Sequence, residues 1–141
     1  MVYNSIMKEG ESLSREDTAL MKPVVWIVDC DQWPRANLRA LFLDRGFDAI
    51  GFIELDQALE RLNHPRYPKP HVIVIELHAL SPTDKELDVL TRLPVPMVAL
   101  AGAMEISQEW VRKVKWAVLI RRPITIGQVA DAIEKLIKSH L

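Results

Sequence analysis

Short apolar runs recur along the chain, separated by polar segments. The run at 71–76 contains four β-branched residues in succession and ends in a carboxylate, Glu76. A short, unbroken run of this kind is typical of a strand that is buried on both faces, as at the centre of a parallel sheet. Applied to the whole chain, the pattern predicts five strands, at Val24–Val28, 49–52, 71–76, Met97–Ala101 and 117–120.

The segments between these runs carry apolar residues at helical spacing. After the first run, Leu38, Leu41 and Phe42 form one helical face. Pro34 suits the first turn of that helix, and Gly46 provides its C-terminal stop. Strands that alternate with helices indicate a doubly wound α/β fold, a five-stranded parallel sheet with helices on both faces. The remaining helices are predicted at Leu55–Leu62, 84–90, 106–114 and 126–137.

Polarity divides the chain into two parts. Residues 1–22 form a polar N-terminal extension, in which the sequence at 14–17 suits the start of a short helix and a disordered tail is the alternative. Residues 23–141 contain all the predicted strands. With 141 residues in total, 49% of them hydrophobic, the chain is long enough for one domain with a core of its own.

Charge and cysteine content exclude several classes of protein. The net charge of −1 gives no general attraction to nucleic acid or to a membrane surface. The only cysteine, Cys30, cannot form an internal disulfide, and no Cys/His cluster has the spacing of a zinc site. The sequence contains neither a membrane-spanning apolar stretch nor the pattern of a signal peptide. We therefore expect a cytoplasmic protein that binds no metal or other cofactor.

Charged residues follow three of the predicted strands. Asp29 and Asp31 follow the first strand, Glu76 ends the third, and Arg122 follows the fifth. In open α/β sheets, functional sites form where loops leave the carboxyl ends of the strands. Together with 27–31, 52–59 and the Arg-Arg-Pro at 121–123, this pattern resembles the receiver domain of bacterial two-component response regulators over residues 23–140. The resemblance implies a flavodoxin-like fold with strand order 2-1-3-4-5.

The resemblance also shows where this chain departs from a typical receiver. There, two acids after the first strand hold Mg²⁺, an aspartate ending the third strand accepts phosphate, and a hydroxyl, a lysine and a switch aromatic complete the site. The corresponding positions here are Asp29, Cys30, Glu76, Ala101, Arg122 and, for the switch aromatic, Leu119.

These departures predict a degenerate phosphorylation pocket. Glu reaches about 1.5 Å farther than Asp, and a displacement of about 1 Å can slow a positioned reaction roughly 100-fold. We therefore expect a pseudo-receiver that is not an enzyme, in which Glu76 supplies a fixed negative charge in place of phosphate. Arg122, a planar bidentate donor, is expected to pair with either Glu76 or Asp29.

Three alternatives follow from the same residues. Asp31 or Glu76 accepts phosphate in spite of the changes, or the pocket is retained only for packing and solubility. The third is a flavodoxin-like domain that binds a small molecule over strands one and three, although no Gly-rich phosphate loop follows Val28. Phosphodonor labelling separates the first of these from the others.

A second group of residues indicates an interaction surface. Aromatic residues beside positive charges favour a protein interface, and the resemblance assigns the face of the fourth helix, fifth strand and last helix to partners, to an adjoining output domain or to a homodimer. We expect no direct contact with nucleic acid or membrane, and a role within a response regulator or transcriptional regulator. The candidate interface residues are Trp110, Arg112, Lys113, Trp116 and Arg121.

Three other residues have simpler interpretations. Trp26 is expected in the core, and Cys30 is expected to be a small buried hydrophobic residue at a strand end. His78 is interpreted as an exposed loop histidine near the pocket.

Overall fold

A five-stranded parallel sheet forms the centre of the protein, in the computed structural model that describes residues 22–140. The strand order is β2-β1-β3-β4-β5, and every neighbouring pair is parallel, which confirms the predicted fold class. The helix considered at 14–17 lies outside the described residues. The strands are β1 (Val24–Val28), β2 (Asp48–Phe52), β3 (Val72–Glu76), β4 (Met97–Ala101) and β5 (Val118–Arg121).

Helices connect the strands and cover both faces of the sheet. α1 and α6 pack on one face, and α2, α3 and α5 pack on the other. On the second face Trp26 is fully buried, as predicted, and its ring centroid lies 4.9 Å from that of Phe52 and 5.9 Å from that of Tyr67. The helices are α1 (Gln32–Asp44), α2 (Leu55–Leu62), α3 (Asp84–Arg92), α4 (Ala103–Ile106), α5 (Glu109–Lys113) and α6 (Ile126–His140).

Burial explains why the apolar runs were good predictors of strands. Every residue of β1, β3 and β4 is buried, whereas β5 alternates between exposed and half-buried positions. The difference follows from position, since β5 is an edge strand and the other three lie inside the sheet. The predicted bounds of β5 are wrong by one residue, because the strand includes Arg121.

The prediction of one helix over 106–114 is wrong. The chain forms two short helices there, α4 and α5, separated by Ser107 and Gln108. α4 begins earlier than predicted, after Gly102, whose N–H donates to the Glu105 carboxylate at 2.7 Å. It ends where the Ser107 hydroxyl donates to the Met104 carbonyl oxygen at 2.7 Å, a local bond that competes with helix continuation.

Two features hold the ends of the long helices in place. Gly46 ends α1 with a φ of +88°, as the sequence indicates, because a left-handed backbone costs glycine little. Arg45 joins α1 to α6 through ion pairs with Asp131 at 2.6 Å and Glu134 at 3.3 Å. Within residues 22–140, no helix has both the length and the apolar character needed to cross a membrane.

Candidate functional site

The carboxyl edge of the sheet brings the predicted pocket residues together. Asp29 follows β1, Glu76 ends β3, and Arg122 follows β5. Ala101 ends β4 beside them, in register with Arg121. Because the strands are parallel, residues far apart in sequence meet at this edge.

Glu76 and Arg122 form an ion pair at the centre of this edge. The Oε2 atom of Glu76 contacts the Nη2 atom of Arg122, and Oε1 accepts a hydrogen bond from the backbone N–H of His78 at 2.9 Å. The Glu76 side chain is 5% exposed and that of Arg122 is 43% exposed. Of the two pairs predicted for Arg122, the structure therefore contains the one with Glu76, and both carboxylate oxygens of Glu76 are engaged.

Asp29 is the second buried acid of the pocket. Its Oδ1 atom accepts a hydrogen bond from the Asp31 N–H at 2.9 Å, and its carbonyl oxygen accepts one from Arg35 Nη1 at 2.8 Å. Burial raises the pKa of the Asp29 carboxyl, and the charge of Asp31 adds to the rise, while the Asp31 N–H and the guanidinium groups of Arg122 and Arg35 oppose it. The charged form of Asp29 is thus less favourable in the folded protein than in the unfolded chain.

Replacing Asp29 with Asn is expected to increase stability at neutral pH by about 0.5–2 kcal/mol, the size common for a single stabilising change, because burial disfavours the charged carboxylate of Asp29. Since the folded-state pKa of Asp29 is raised, the wild type loses stability as the pH rises through that pKa, whereas an amide does not titrate. Urea unfolding at pH 7 and below pH about 4 measures the gain, which should disappear at the lower pH.

Asp31→Asn is the matched control for this prediction, because Asp31 is an exposed neighbour at the start of α1. Asp and Asn are about equal as N-cap residues, and the charge of Asp31 is a smaller cause of the raised Asp29 pKa than burial is, so this change should raise stability by less than Asp29→Asn does. An Asp29→Asn variant that is no more stable than the wild type at pH 7 would contradict the burial argument.

Cys30 is exposed, so the prediction that it is a buried hydrophobic residue is wrong. The buried part of β1 ends at Asp29, and Cys30 lies in the bend that leads into α1. Asp31 is exposed as well, and its side chain makes no capping hydrogen bond. The pocket therefore contains one unpaired buried acid from this loop, Asp29, rather than two.

The residues present do not fit the Mg²⁺ ion that the resemblance implies. Magnesium requires several oxygen ligands in a near-octahedral arrangement. Glu76 is occupied by Arg122, and the position after Asp29 holds a thiol, which is a poor ligand for a hard cation. Among the described residues, no group of three or more His, Cys, Asp or Glu side chains is arranged to hold a metal.

Two further pocket positions lack the groups that a phosphate switch needs. Ala101 is fully buried and carries no hydroxyl, and Leu119, at the switch position, is 37% exposed and lies in register with Ala99 on β4.

The loop after β3 contains a left-handed residue, Ala79, with a φ of +58°. Sequence patterns gave no sign of this left-handed turn, because such positions are usually recognised from Gly or Asn. His78 is exposed, as expected, but its backbone N–H, and not its ring, contacts the pocket acid.

The candidate interface residues lie around α5 and β5. Trp110 and Trp116 are half-buried and pack edge to face, with ring centroids 6.4 Å apart. Their indole N–H groups donate to the Gln108 side chain at 2.7 Å and to the Val111 carbonyl oxygen at 2.9 Å. The tryptophans thus support the local structure, and the exposed part of this surface is mainly cationic, from Arg112, Lys113 and Arg121. Trp33, by contrast, is 72% exposed at the start of α1.

A groove lies between the two short helices and the edge strand. Its volume is about 840 Å³, and it is open to solvent. It lies beside the candidate interface and contains Leu119, the residue at the switch position. The lining residues are Ala103, Ile106, Ser107, Val111, Arg112, Val114, Lys115, Trp116 and Leu119.

Comparison of the whole fold finds receiver domains. A response regulator receiver protein from Pseudomonas putida matches with a TM-score of 0.66 and 16% identity, over 82% of this chain and 98% of that one. The N-terminal domain of a response regulator/sensory box/GGDEF three-domain protein from Carboxydothermus hydrogenoformans matches with a TM-score of 0.68 and 14% identity, over 83% and 95%. Full-length FixJ from B. japonicum matches with a TM-score of 0.65 and 19% identity, over 84% of this chain and 59% of that one.

Comparison of sequences finds no such match. No family model matches this chain, and no curated protein matches it. The structural neighbours nevertheless confirm the predicted resemblance at the level of the fold: the chain has the receiver fold of response regulators.

Proposed function

We propose that residues 23–141 form a pseudo-receiver, a non-enzymatic cytoplasmic signalling module that acts through protein–protein interaction without aspartyl phosphorylation. The observation that carries the proposal is the ion pair between Glu76 and Arg122. A receiver phosphoacceptor must present a free carboxylate to its donor. Here the group at that position is a glutamate with both oxygens engaged.

The same ion pair argues for a constant state of the pocket. A carboxylate carries about one charge where a phosphorylated residue adds between 1.5 and 2, and Arg122 neutralises that charge inside the protein. Ala101 has no hydroxyl with which to follow a new anion, and Leu119 has no aromatic ring to move with it. The pocket is therefore closed by an internal contact and does not respond to a phosphodonor.

Two other functions are less well supported. A phosphoacceptor role for Asp31 requires an exposed residue at the start of α1 to replace the buried acid of β3. A small-molecule site over β1 and β3 requires space where the side chains of Glu76 and Arg122 meet. The groove described above lies beside β5 instead.

The partner is proposed to be another protein or an adjoining output domain. Two of the structural neighbours come from multidomain proteins, a response regulator/sensory box/GGDEF protein and full-length FixJ. In this chain the exposed residues around α5 and β5 provide a mainly cationic surface for such a contact. A partner bound there would be regulated by its own abundance or by an attached domain.

Incubation with acetyl phosphate and Mg²⁺, followed by intact-mass measurement, tests the proposal. We expect no phosphoryl adduct on the wild type, because the acid at the acceptor position is a paired glutamate. A receiver with an intact aspartate set, treated in the same tube, shows that the donor is active. A stable adduct on this protein, located at Glu76 or Asp31 by peptide mapping, would overturn the proposal.

A further inference from the structure

The face of β5 that carries Leu119 is incompletely covered. β5 is an edge strand, so one side of its backbone has no neighbouring strand. The helical segment before it is divided into α4, of four residues, and α5, of five residues. These two short helices leave Leu119 exposed and leave the groove beside it open.

The groove combines an apolar floor with a cationic rim. Its lining is mainly apolar and includes Ile106, Val114, Trp116 and Leu119, and the exposed residues Arg112 and Lys115 add positive charge at its rim. Arg121 lies two residues after Leu119 on β5 and therefore points to the same face of the sheet. Within residues 22–140, none of these three cations is in an ion pair, although Lys113 next to them pairs with Glu109 at 3.8 Å.

We propose that this groove binds an extended segment of a partner protein in which acidic and apolar residues alternate, and that the segment adds to the edge of β5 as a sixth strand. The inference rests on the proposed function, since it names the partner of the same interaction module. Side chains of a strand alternate between its two faces, so every second residue of such a segment faces the groove.

Charge complementarity decides the occupant. Carboxylates of the bound segment reach Arg112, Lys115 and Arg121 at the rim, while an apolar side chain enters beside Leu119. β5 has four residues, which correspond to about 13 Å of extended chain. A segment of about four residues therefore matches the open edge, and main-chain hydrogen bonds supply affinity while the groove supplies specificity.

The same features argue against two other occupants. A second copy related by a twofold axis would bring the same three cations close to their symmetry mates, which is unfavourable. Single-stranded nucleic acid would find positive charge, but it needs exposed aromatic faces for stacking. Trp116 is the one aromatic residue in the lining, and it is half-buried, packed against Trp110 and bonded through its indole N–H to Val111.

A labelled ten-residue peptide that alternates Glu or Asp with Val or Ile is the probe. Fluorescence anisotropy with the full chain should show saturable binding, and the Arg112→Glu/Lys115→Glu variant should bind at least tenfold more weakly. The matched control is Lys85→Glu/Lys135→Glu, which makes the same charge change at exposed positions of α3 and α6. This control should bind within a factor of two of the wild type.

The binding mode is tested on the unmodified protein. A peptide with N-methyl groups on alternate amides keeps its charges but cannot pair with a strand edge, and we expect at least a tenfold loss of affinity. If the N-methylated peptide binds as tightly as the unmodified peptide, the segment does not add to β5 as a strand. If both charge variants lose affinity equally, the groove is not the binding site. Two results would contradict an acidic and apolar peptide segment as the ligand. One is tighter binding of a single-stranded oligonucleotide than of the peptide. The other is self-association, measured by sedimentation velocity, that the Arg112→Glu/Lys115→Glu variant abolishes.

This experiment is separate from the test of phosphorylation. Absence of peptide binding would overturn the inference about the groove and would leave the closed pocket at Glu76 unaffected. A phosphoryl adduct would overturn the pseudo-receiver proposal and would leave the binding measurement valid.

Discussion

Replacing Arg122 with Met is expected to lower the free energy of unfolding by about 2 kcal/mol at neutral pH. The change removes the cation that neutralises Glu76, whose side chain is buried. Breaking a fully buried ion pair by removing one partner costs about 3–5 kcal/mol, and a lower value is expected here because Arg122 is itself partly exposed. Urea unfolding followed by tryptophan fluorescence measures the change.

Two controls identify the cause. If the loss comes from leaving the buried Glu76 carboxylate unpaired, it should be specific to Arg122 and should depend on Glu76. Arg121→Met removes an exposed arginine that has no ion pair within residues 22–140 and should cost less than about 0.5 kcal/mol. In the double variant Glu76→Gln/Arg122→Met most of the lost stability should return. A comparable loss in Arg121→Met, or no recovery in the double variant, would contradict the assignment.

The strands were predictable because burial on both faces leaves a direct mark on sequence. β1 and β4 have the predicted bounds, and each consists only of buried apolar residues. Helix periods were equally informative where a helix packs along its full length, as in α2, which has the predicted bounds. The weaker pattern at 106–114 could not show that Ser107 ends a helix by bonding to the backbone of Met104.

The candidate site was predictable in composition but not in geometry. Parallel strands bring their carboxyl ends together, so the meeting of Asp29, Glu76 and Arg122 follows from topology. Which acid pairs with Arg122 depends on where the loops place their backbone N–H groups. The Asp31 N–H already satisfies Asp29, and Glu76 has the reach to bind both Arg122 and the His78 N–H.

The exposure of Cys30 could not be predicted for a related reason. The prediction treated it as a small buried residue just after the first strand, and the residue before it is indeed buried. The chain changes from buried to exposed between Asp29 and Cys30, because it bends at Cys30. Its side chain therefore does not join the core, and Asp29 is the single buried acid of this loop.

Rebuilding the pocket is expected to create phosphorylation that the wild type lacks. The variant Cys30→Asp/Glu76→Asp/Ala101→Ser/Arg122→Lys restores the residue types of a typical receiver at four positions of the carboxyl edge. Each change supplies a separate requirement: a second metal ligand, a free acceptor at the right distance, a hydroxyl and a flexible cation. Serine is chosen at 101 because the site is fully buried, and a larger side chain there would overpack the core.

We expect intact-mass measurement with acetyl phosphate and Mg²⁺ to show a phosphoryl adduct on the rebuilt variant, at a rate at least 100-fold above that of the wild type. Glu76→Asp alone should remain unmodified, because Asp29 alone cannot hold the metal and Arg122 still occupies the acceptor. The control variant Cys30→Asp/Glu76→Asn/Ala101→Ser/Arg122→Lys, which has no carboxylate at position 76, should also remain unmodified. If the rebuilt variant folds and binds Mg²⁺ without accepting phosphate, these four side chains are not the cause, and the left-handed turn at Ala79 next to the acceptor blocks access to it.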